Sequence, residues 1–138
     1  MLPKWHVLLG TIFLLVLIIF FNFSWQSSLI IFFASVLIDI DHNLFYILKF
    51  RDASLKKAYL WHVKLPHNHK PMMHLFHTAE FLLMILSLSF FSQIFQFVFL
   101  GMFFHSICDF LDLVFKKQAS SREYFLLRFY FSSRKKYL

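Results

Sequence analysis

Acidic side chains occupy unusual places in this 138-residue sequence, because most of them interrupt apolar stretches. Of the seven acidic residues, only Asp52 and Glu123 lie in polar segments. The others lie in or at the ends of apolar stretches: Asp39, Asp41, Glu80, Asp109 and Asp112. An ionised carboxylate inside a membrane helix costs at least about 2.5–3.5 kcal/mol, so these residues need a compensating partner. A divalent cation held together with some of the eight histidines would supply one.

Three short motifs place acids and histidines at helical spacings: Asp39-x-Asp41-His42, His74-x-x-His77 and His105-x-x-x-Asp109. His105, Asp109 and Asp112 share one stripe of a helix, at i, i+4 and i+7. Asp41 points about half a turn away from Asp39. Either the helix loosens between these two aspartates, or only one of them binds a metal directly.

The motifs predict a metal site with mixed nitrogen and oxygen ligands. The predicted ligands are Asp39, Asp41, His42, His74, His77, His105 and Asp109. This donor set favours Zn, with Mn or Fe as alternatives, and it could hold one or more ions. The sequence contains no pair of thiols of the kind that forms a structural cysteine site. The isolated histidines His6, His62 and His67 are interpreted as hydrogen-bonded or interfacial side chains instead.

Long apolar runs must position these residues. Apolar residues make up 59% of the chain, Phe occurs 22 times, and only 2 Gly and 3 Pro are present. The sequence therefore predicts an all-α integral membrane protein of about four transmembrane helices, at 6–23, 27–48, 74–91 and 93–115. The single cysteine, Cys108, lies in one of these runs and is interpreted as a small buried apolar residue.

Positive charge predicts the orientation of the helices. The net charge of +7 collects in the loop at 49–73 and in the tail at 116–138, with Lys4 near the start. Beside membrane spans this pattern indicates cytoplasmic segments that contact anionic lipid rather than nucleic acid. Four spans would place both termini on the cytoplasmic side of the inner membrane. The basic and aromatic tail is predicted to lie along the interface.

The polar residues of three predicted spans fall at one depth. Asp39, His77 and His105 each lie about 11–14 residues from an uncharged outer turn, which is roughly 16–21 Å at helical rise. They should therefore meet toward the cytoplasmic third of the membrane.

These motifs resemble those of the membrane-bound metal-dependent hydrolases, a family of small helical proteins also called YdjM-like. That family has an early Asp-x-Asp-His, then a His-Arg-Gly-x-Thr-His or His-x-x-His-Ser segment, and later a His-x-x-x-Asp. The resemblance covers roughly Val36–Phe115. Lys70-Pro71 stands where the family has Arg-Gly, so His69 is only an additional ligand candidate. The resemblance implies a metal-dependent hydrolase, and a distant similarity to zinc-dependent phospholipase C implies a phosphoester substrate.

The sequence thus predicts a membrane-embedded hydrolase that acts on a phospholipid or another amphiphilic phosphoester. Glu80 or Asp112 would be the general base, if either reaches the attacking water. Lys64 and Lys70 would hold a headgroup phosphate. Alternatives are a metal-ion transporter or sensor, and a non-catalytic membrane subunit with a structural metal site. The almost wholly apolar outer halves of the spans favour the enzyme over a transporter.

Overall fold

The computed structural model describes residues 3–65, 72–117 and 122–134, and within them the chain is mostly helical, as predicted. The α-helices in chain order are α1 (Pro3–Phe21), α2 (Trp25–Leu37), α3 (Ile40–Phe50), α4 (Leu55–Val63), α5 (Ala79–Ser89), α6 (Gln93–Phe115) and α7 (Leu126–Arg134). A single 3-10 turn covers Leu75–His77. The two-residue strands β1 (Met72–Met73) and β2 (Arg122–Glu123) pair in parallel.

Within the described residues, three apolar helical stretches are long enough to cross a membrane: Pro3–Phe21, Trp25–Phe50 and Gln93–Phe115. Within the span predicted at 74–91, the α-helix covers only Ala79–Ser89. Helix α5 begins there because the Thr78 side chain accepts a hydrogen bond from the backbone N–H of Phe81. It is therefore about 17 Å long, against about 30 Å for the hydrocarbon core of a bilayer.

Large apolar side chains face outward from these helices. Ile19, Phe20 and Phe90 are between 65% and 80% exposed. Such surfaces are stable against lipid, where apolar side chains contact hydrocarbon and helices satisfy their own backbone hydrogen bonds. The outward faces therefore agree with membrane crossing.

Helices α2 and α3 run as one nearly continuous stretch with a loosened turn between them. Helix α2 ends at Leu37, and α3 begins at Ile40. The intervening Ile38 and Asp39 keep right-handed helical backbone angles, so the chain continues in much the same direction. The loosened turn lies at Ile38 and Asp39, immediately before α3, and Asp41 lies in the first turn of α3.

Helix α6 packs tightly against α2 at Gly101. A Cβ atom there would lie closer than van der Waals contact to the backbone carbonyl oxygen of Ile31, and 2.9 Å from the Cβ of Ala34. Only glycine allows the two backbones to approach this closely. The contact fixes the position of α6 along the axis of α2, and it therefore fixes the relative positions of their polar residues.

The basic loop predicted at 49–73 contains a helix, α4, which was not predicted from the sequence. Ser54 caps α4 by accepting a hydrogen bond from the backbone N–H of Lys57. The Trp61 ring packs on Tyr46 and Phe50 of α3, with ring centroids 5.9 and 5.3 Å apart. These aromatic contacts hold α4 against α3.

We predict that Gly101→Ala destabilises the protein. The added methyl group must push α6 away from the Ile31 carbonyl, and such overpacking costs about 1–3 kcal/mol. Thermal unfolding of the purified protein in detergent measures the effect. Gly10→Ala is the control, since its Cβ would meet the Ser35 Oγ at 3.0 Å, a side-chain atom that can move. Equal midpoints for both variants would contradict this account of the α2–α6 contact.

Candidate metal centre

Side chains from three parts of the chain converge where α2 passes into α3. Asp39 lies on the turn between these helices, and His77 ends the 3-10 turn that precedes α5. His105 and Asp109 lie one turn apart on α6. The three helices thus bring their polar residues to one level, as the count of residues from the outer turns predicted.

His77 and His105 face each other inside this cluster. The Nδ1–H of His77 donates to Asp41 Oδ2 at 3.1 Å, and the Nδ1–H of His105 donates to the Ser35 carbonyl oxygen at 2.6 Å. Because both acceptors are oxygens, each neutral ring carries a lone pair on Nε2. The two Nε2 atoms are 3.1 Å apart. Lone pairs at this distance repel each other unless a proton or a metal ion lies between them.

The spacing of these nitrogens fits metal binding. Two imidazole nitrogens on one tetrahedral zinc ion, each about 2.0–2.1 Å from it, lie about 3.3 Å apart. Hydrogen bonds from the far side of a ligating imidazole to a carboxylate or carbonyl oxygen are usual in metal sites, where they fix the tautomer. His77 and His105 both have such bonds.

Two carboxylates complete the surroundings of these rings. Asp39 Oδ1 is 3.4 Å from His105 Nε2 and 3.6 Å from His77 Nε2. Asp109 Oδ2 is 3.6 and 3.8 Å from the same two nitrogens. Asp109 is almost fully buried, whereas the Asp39 side chain is 19% exposed. Burying a carboxylate so completely is costly unless a cation accompanies it.

His6 belongs to this cluster, although its isolated position in the sequence favoured an interfacial role. Its Nε2 is 3.1 Å from Asp109 Oδ1 and 3.5 Å from Asp39 Oδ2. Its ring stacks on that of His105, with centroids 4.0 Å apart. His6 lies about 24 Å from the outer turn at helical rise, slightly beyond the level of the other residues. Depth was the only signal that could have identified it.

The ligand atoms form two overlapping groups, and in each group all of them lie within 4.8 Å of one another. One group contains His6, Asp39, His105 and Asp109; the other contains Asp39, His42, His77 and Asp109. Both groups share the two carboxylates. The arrangement could therefore hold one ion, or two ions bridged by Asp39 and Asp109. We call these six residues the inner cluster.

Asp41 lies outside the inner cluster and holds His77, a member of that cluster, in place. Its Oδ2 accepts hydrogen bonds from His77 Nδ1 and from the backbone N–H of Phe76, at 3.1 and 3.0 Å. Asp41 is in neither group of candidate ligands, whereas Asp39 is in both. The structure thus distinguishes the two aspartates: Asp39 faces the ligand atoms, and Asp41 orients His77.

His74 lies next to the inner cluster, in a third group with His42 and His62. His62 was expected to be a hydrogen-bonded side chain, and its Nδ1 does lie 2.9 Å from the Ala58 carbonyl oxygen. Burial lowers the pKa of the His62 imidazole below its usual range. The ring is therefore neutral at pH 7, which is the form that binds metal ions.

The structure does not bring the two predicted general bases into the cluster. Both oxygens of Glu80 accept hydrogen bonds from backbone N–H groups at the start of α7, those of Leu126 and Leu127, at 3.0 and 3.3 Å. A carboxylate in this position stabilises the beginning of a helix. Asp112 forms an ion pair with Lys116 at 2.6 Å, one turn along α6.

Of the two predicted phosphate-binding lysines, only Lys64 lies in the part of the chain that the structure describes. Lys64 is exposed at the end of α4. Lys70, together with the additional ligand candidate His69, lies outside the described residues.

Comparisons of this chain with protein-family models, with curated proteins and with solved structures find no match.

We predict that Asp41→Ala weakens metal binding about 10- to 100-fold, the usual cost of removing an outer hydrogen-bond partner from a ligating histidine. Titration of metal-stripped protein with Zn²⁺ against a competing chelator measures the affinity. Asp52→Ala is the control, because Asp52 is a carboxylate that pairs with Lys57 outside the cluster. Equal affinities for the two variants would refute the role of Asp41.

We predict that Glu80→Gln retains the metal but loosens α7. The amide lacks the charge that favours a helix N-terminus, an effect of about 0.3–1 kcal/mol. Hydrogen–deuterium exchange at Leu126 and Leu127 should accelerate, while metal content stays at the wild-type value. Loss of metal with unchanged exchange would instead place Glu80 in the metal centre.

Proposed function

We propose that this chain is an integral membrane protein of four crossings whose inner cluster binds a divalent metal ion and hydrolyses a phosphoester at the cytoplasmic face. The observation that carries the proposal is the convergence of His77 Nε2 and His105 Nε2, 3.1 Å apart, with two carboxylates. Three of the crossings are the long apolar helices, and α5 with the preceding 3-10 turn is the fourth.

The directions of the elements support this topology. The start of α1, the end of α2, the start of α5 and the second half of α6 all lie at the cluster, as expected for helices that alternate in direction. Basic residues of α4 and of the exposed helix ends lie at this side, among them Lys57, Lys64 and Lys116. By the positive-inside rule it is the cytoplasmic side, in the inner membrane, with both termini there.

The donor set favours Zn, with Mn or Fe as alternatives. A divalent ion held by the inner cluster would act as a Lewis acid toward a phosphoryl oxygen and would favour the ionisation of water. The chain's own residues hold the ligands in place: Asp41 and the Ser35 carbonyl orient His77 and His105. Asp39 is the more exposed of the two carboxylates, so solvent reaches the cluster on the side of Asp39.

A substrate from the membrane itself fits the position of the cluster. The cluster lies among apolar helices. Its partly exposed residues Asp39 and His42 lie at the start of α3, and the His42 ring contacts His62 of the basic helix α4. An amphiphilic phosphoester could place its phosphate there while its chains remain in lipid. The resemblance to the membrane-bound metal-dependent hydrolases, and through them to zinc-dependent phospholipase C, favours the same substrate class.

We predict that Asp109→Asn loses both the metal and any metal-dependent phosphoester hydrolysis, because Asp109 is shared by both groups of inner-cluster ligands. Elemental analysis of the purified protein and a panel of phospholipids and soluble phosphoesters provide the two measurements. Asp112→Asn is the matched variant, one turn further along α6, and should retain the metal because its carboxylate pairs with Lys116.

The outcomes separate the candidate functions. Loss of turnover in Asp112→Asn with the metal intact would return Asp112 to the role of general base. Wild-type protein that binds metal yet hydrolyses nothing in the panel would favour a structural or metal-sensing protein instead.

A further inference from the structure

Three histidines form a separate group on the α4 side of the inner cluster. His42 lies on α3, His62 on α4, and His74 immediately before the 3-10 turn. One nitrogen from each lies within 4.8 Å of the other two. The rings of His42 and His74 have centroids 3.8 Å apart, and that of His62 is 5.1 Å from His42. We call these three residues the outer triad.

The orientation of His62 directs a lone pair into the outer triad. Its Nδ1–H donates to the Ala58 carbonyl oxygen at 2.9 Å, so its Nε2 carries the lone pair. That Nε2 is buried and has no hydrogen-bond partner among the described residues. A buried acceptor without a donor is destabilising, and a metal ion would satisfy it. The packing of Trp61 on α3 holds the neighbouring His62 in this position.

Exposure indicates the route into the inner cluster. The side chains of His6, His77, His105 and Asp109 are at most 2% exposed. Those of Asp39 and His42 are 19% and 24% exposed. An ion must therefore reach the buried ligands by way of Asp39 and His42, and His42 is also a member of the outer triad.

We propose that His42, His62 and His74 form a second, exchangeable site for a divalent transition-metal ion, from which ions are transferred to the inner cluster. His42 belongs to the outer triad and to the inner cluster, and its Nε2 is 3.3 Å from Asp39 Oδ1. An ion can therefore exchange the outer histidines for the inner carboxylates while it remains bound to His42.

The charges of the two sites determine the direction of transfer. The outer triad offers only imidazole ligands, whereas the inner cluster adds two carboxylates, which attract a dication more strongly. Imidazoles alone select Zn and its transition-metal neighbours over Mg or Ca, which prefer oxygen ligands. The loading role rests on the metal centre proposed above; the existence of the outer triad as a site does not.

The first experiment follows the rate of Zn²⁺ uptake by metal-stripped protein in detergent. His62→Ala should approach its own final metal content at least about tenfold more slowly than the wild type does, as expected when a ligand set is weakened. Tyr59→Ala is the matched control, because it removes an exposed aromatic ring from the same helix. Uptake by His62→Ala at the wild-type rate would overturn the loading role, as would equal slowing in Tyr59→Ala.

The second experiment isolates the outer triad in a chain that carries His105→Ala and Asp109→Asn. This chain should still bind Co²⁺ with the visible absorption bands of nitrogen ligands. The addition of His62→Ala should weaken Co²⁺ binding by more than roughly 10- to 100-fold, which is the usual cost of removing a hydrogen-bond partner of a ligand rather than the ligand itself. Absence of Co²⁺ binding before His62 is changed would overturn the outer triad.

The two experiments separate this inference from the proposed function. Wild-type protein that takes up no more Co²⁺ than the doubly substituted chain would contradict the inner metal centre while leaving the outer triad intact. Neither measurement depends on hydrolysis of any substrate.

Discussion

Two buried imidazole nitrogens lie 3.1 Å apart in this protein, and two carboxylates surround them. Electrostatic repulsion among these groups is severe in an apolar helix bundle, because little water is present to screen it. A cation among them attracts each of these groups and so offsets their mutual repulsion. The inner cluster is therefore coherent as a metal site, and the surrounding elements can be understood as devices that keep its members in place.

The packing of the helices and the geometry of the cluster depend on the same contacts. Gly101 lets α6 approach the backbone of α2 at Ile31, and one turn further along each helix His105 donates its hydrogen bond to the Ser35 carbonyl. A change in helix spacing at the glycine would therefore move the ligand. Asp41 has a similar double role, since it joins α3 to the segment before α5 through Phe76 and His77.

Among the described residues, the partly exposed members of the inner cluster lie on one side, and that asymmetry bears on function. Along α1 and α6 the ligands are buried, whereas Asp39 and His42 are partly exposed beside α4. A transporter needs polar access from both faces of the membrane, while an enzyme at one face needs access from that face alone. The histidine of α4 lies at the open side, where ions and substrates would have to pass.

Much of the fold and of the site could be predicted from the sequence alone. Apolar runs predicted the helices, and the positions of Asp39 and His105 within them predicted a common depth, because rise along a helix depends only on the number of residues. Rotation about each helix axis and packing between helices are not local, so the tertiary structure alone decided which side chains meet. It placed His6 in the inner cluster and His62 in the outer triad, because α1 and α4 pack against the ligand-bearing helices. It also turned Glu80 toward α7, whose free N–H groups offer a carboxylate a favourable partner.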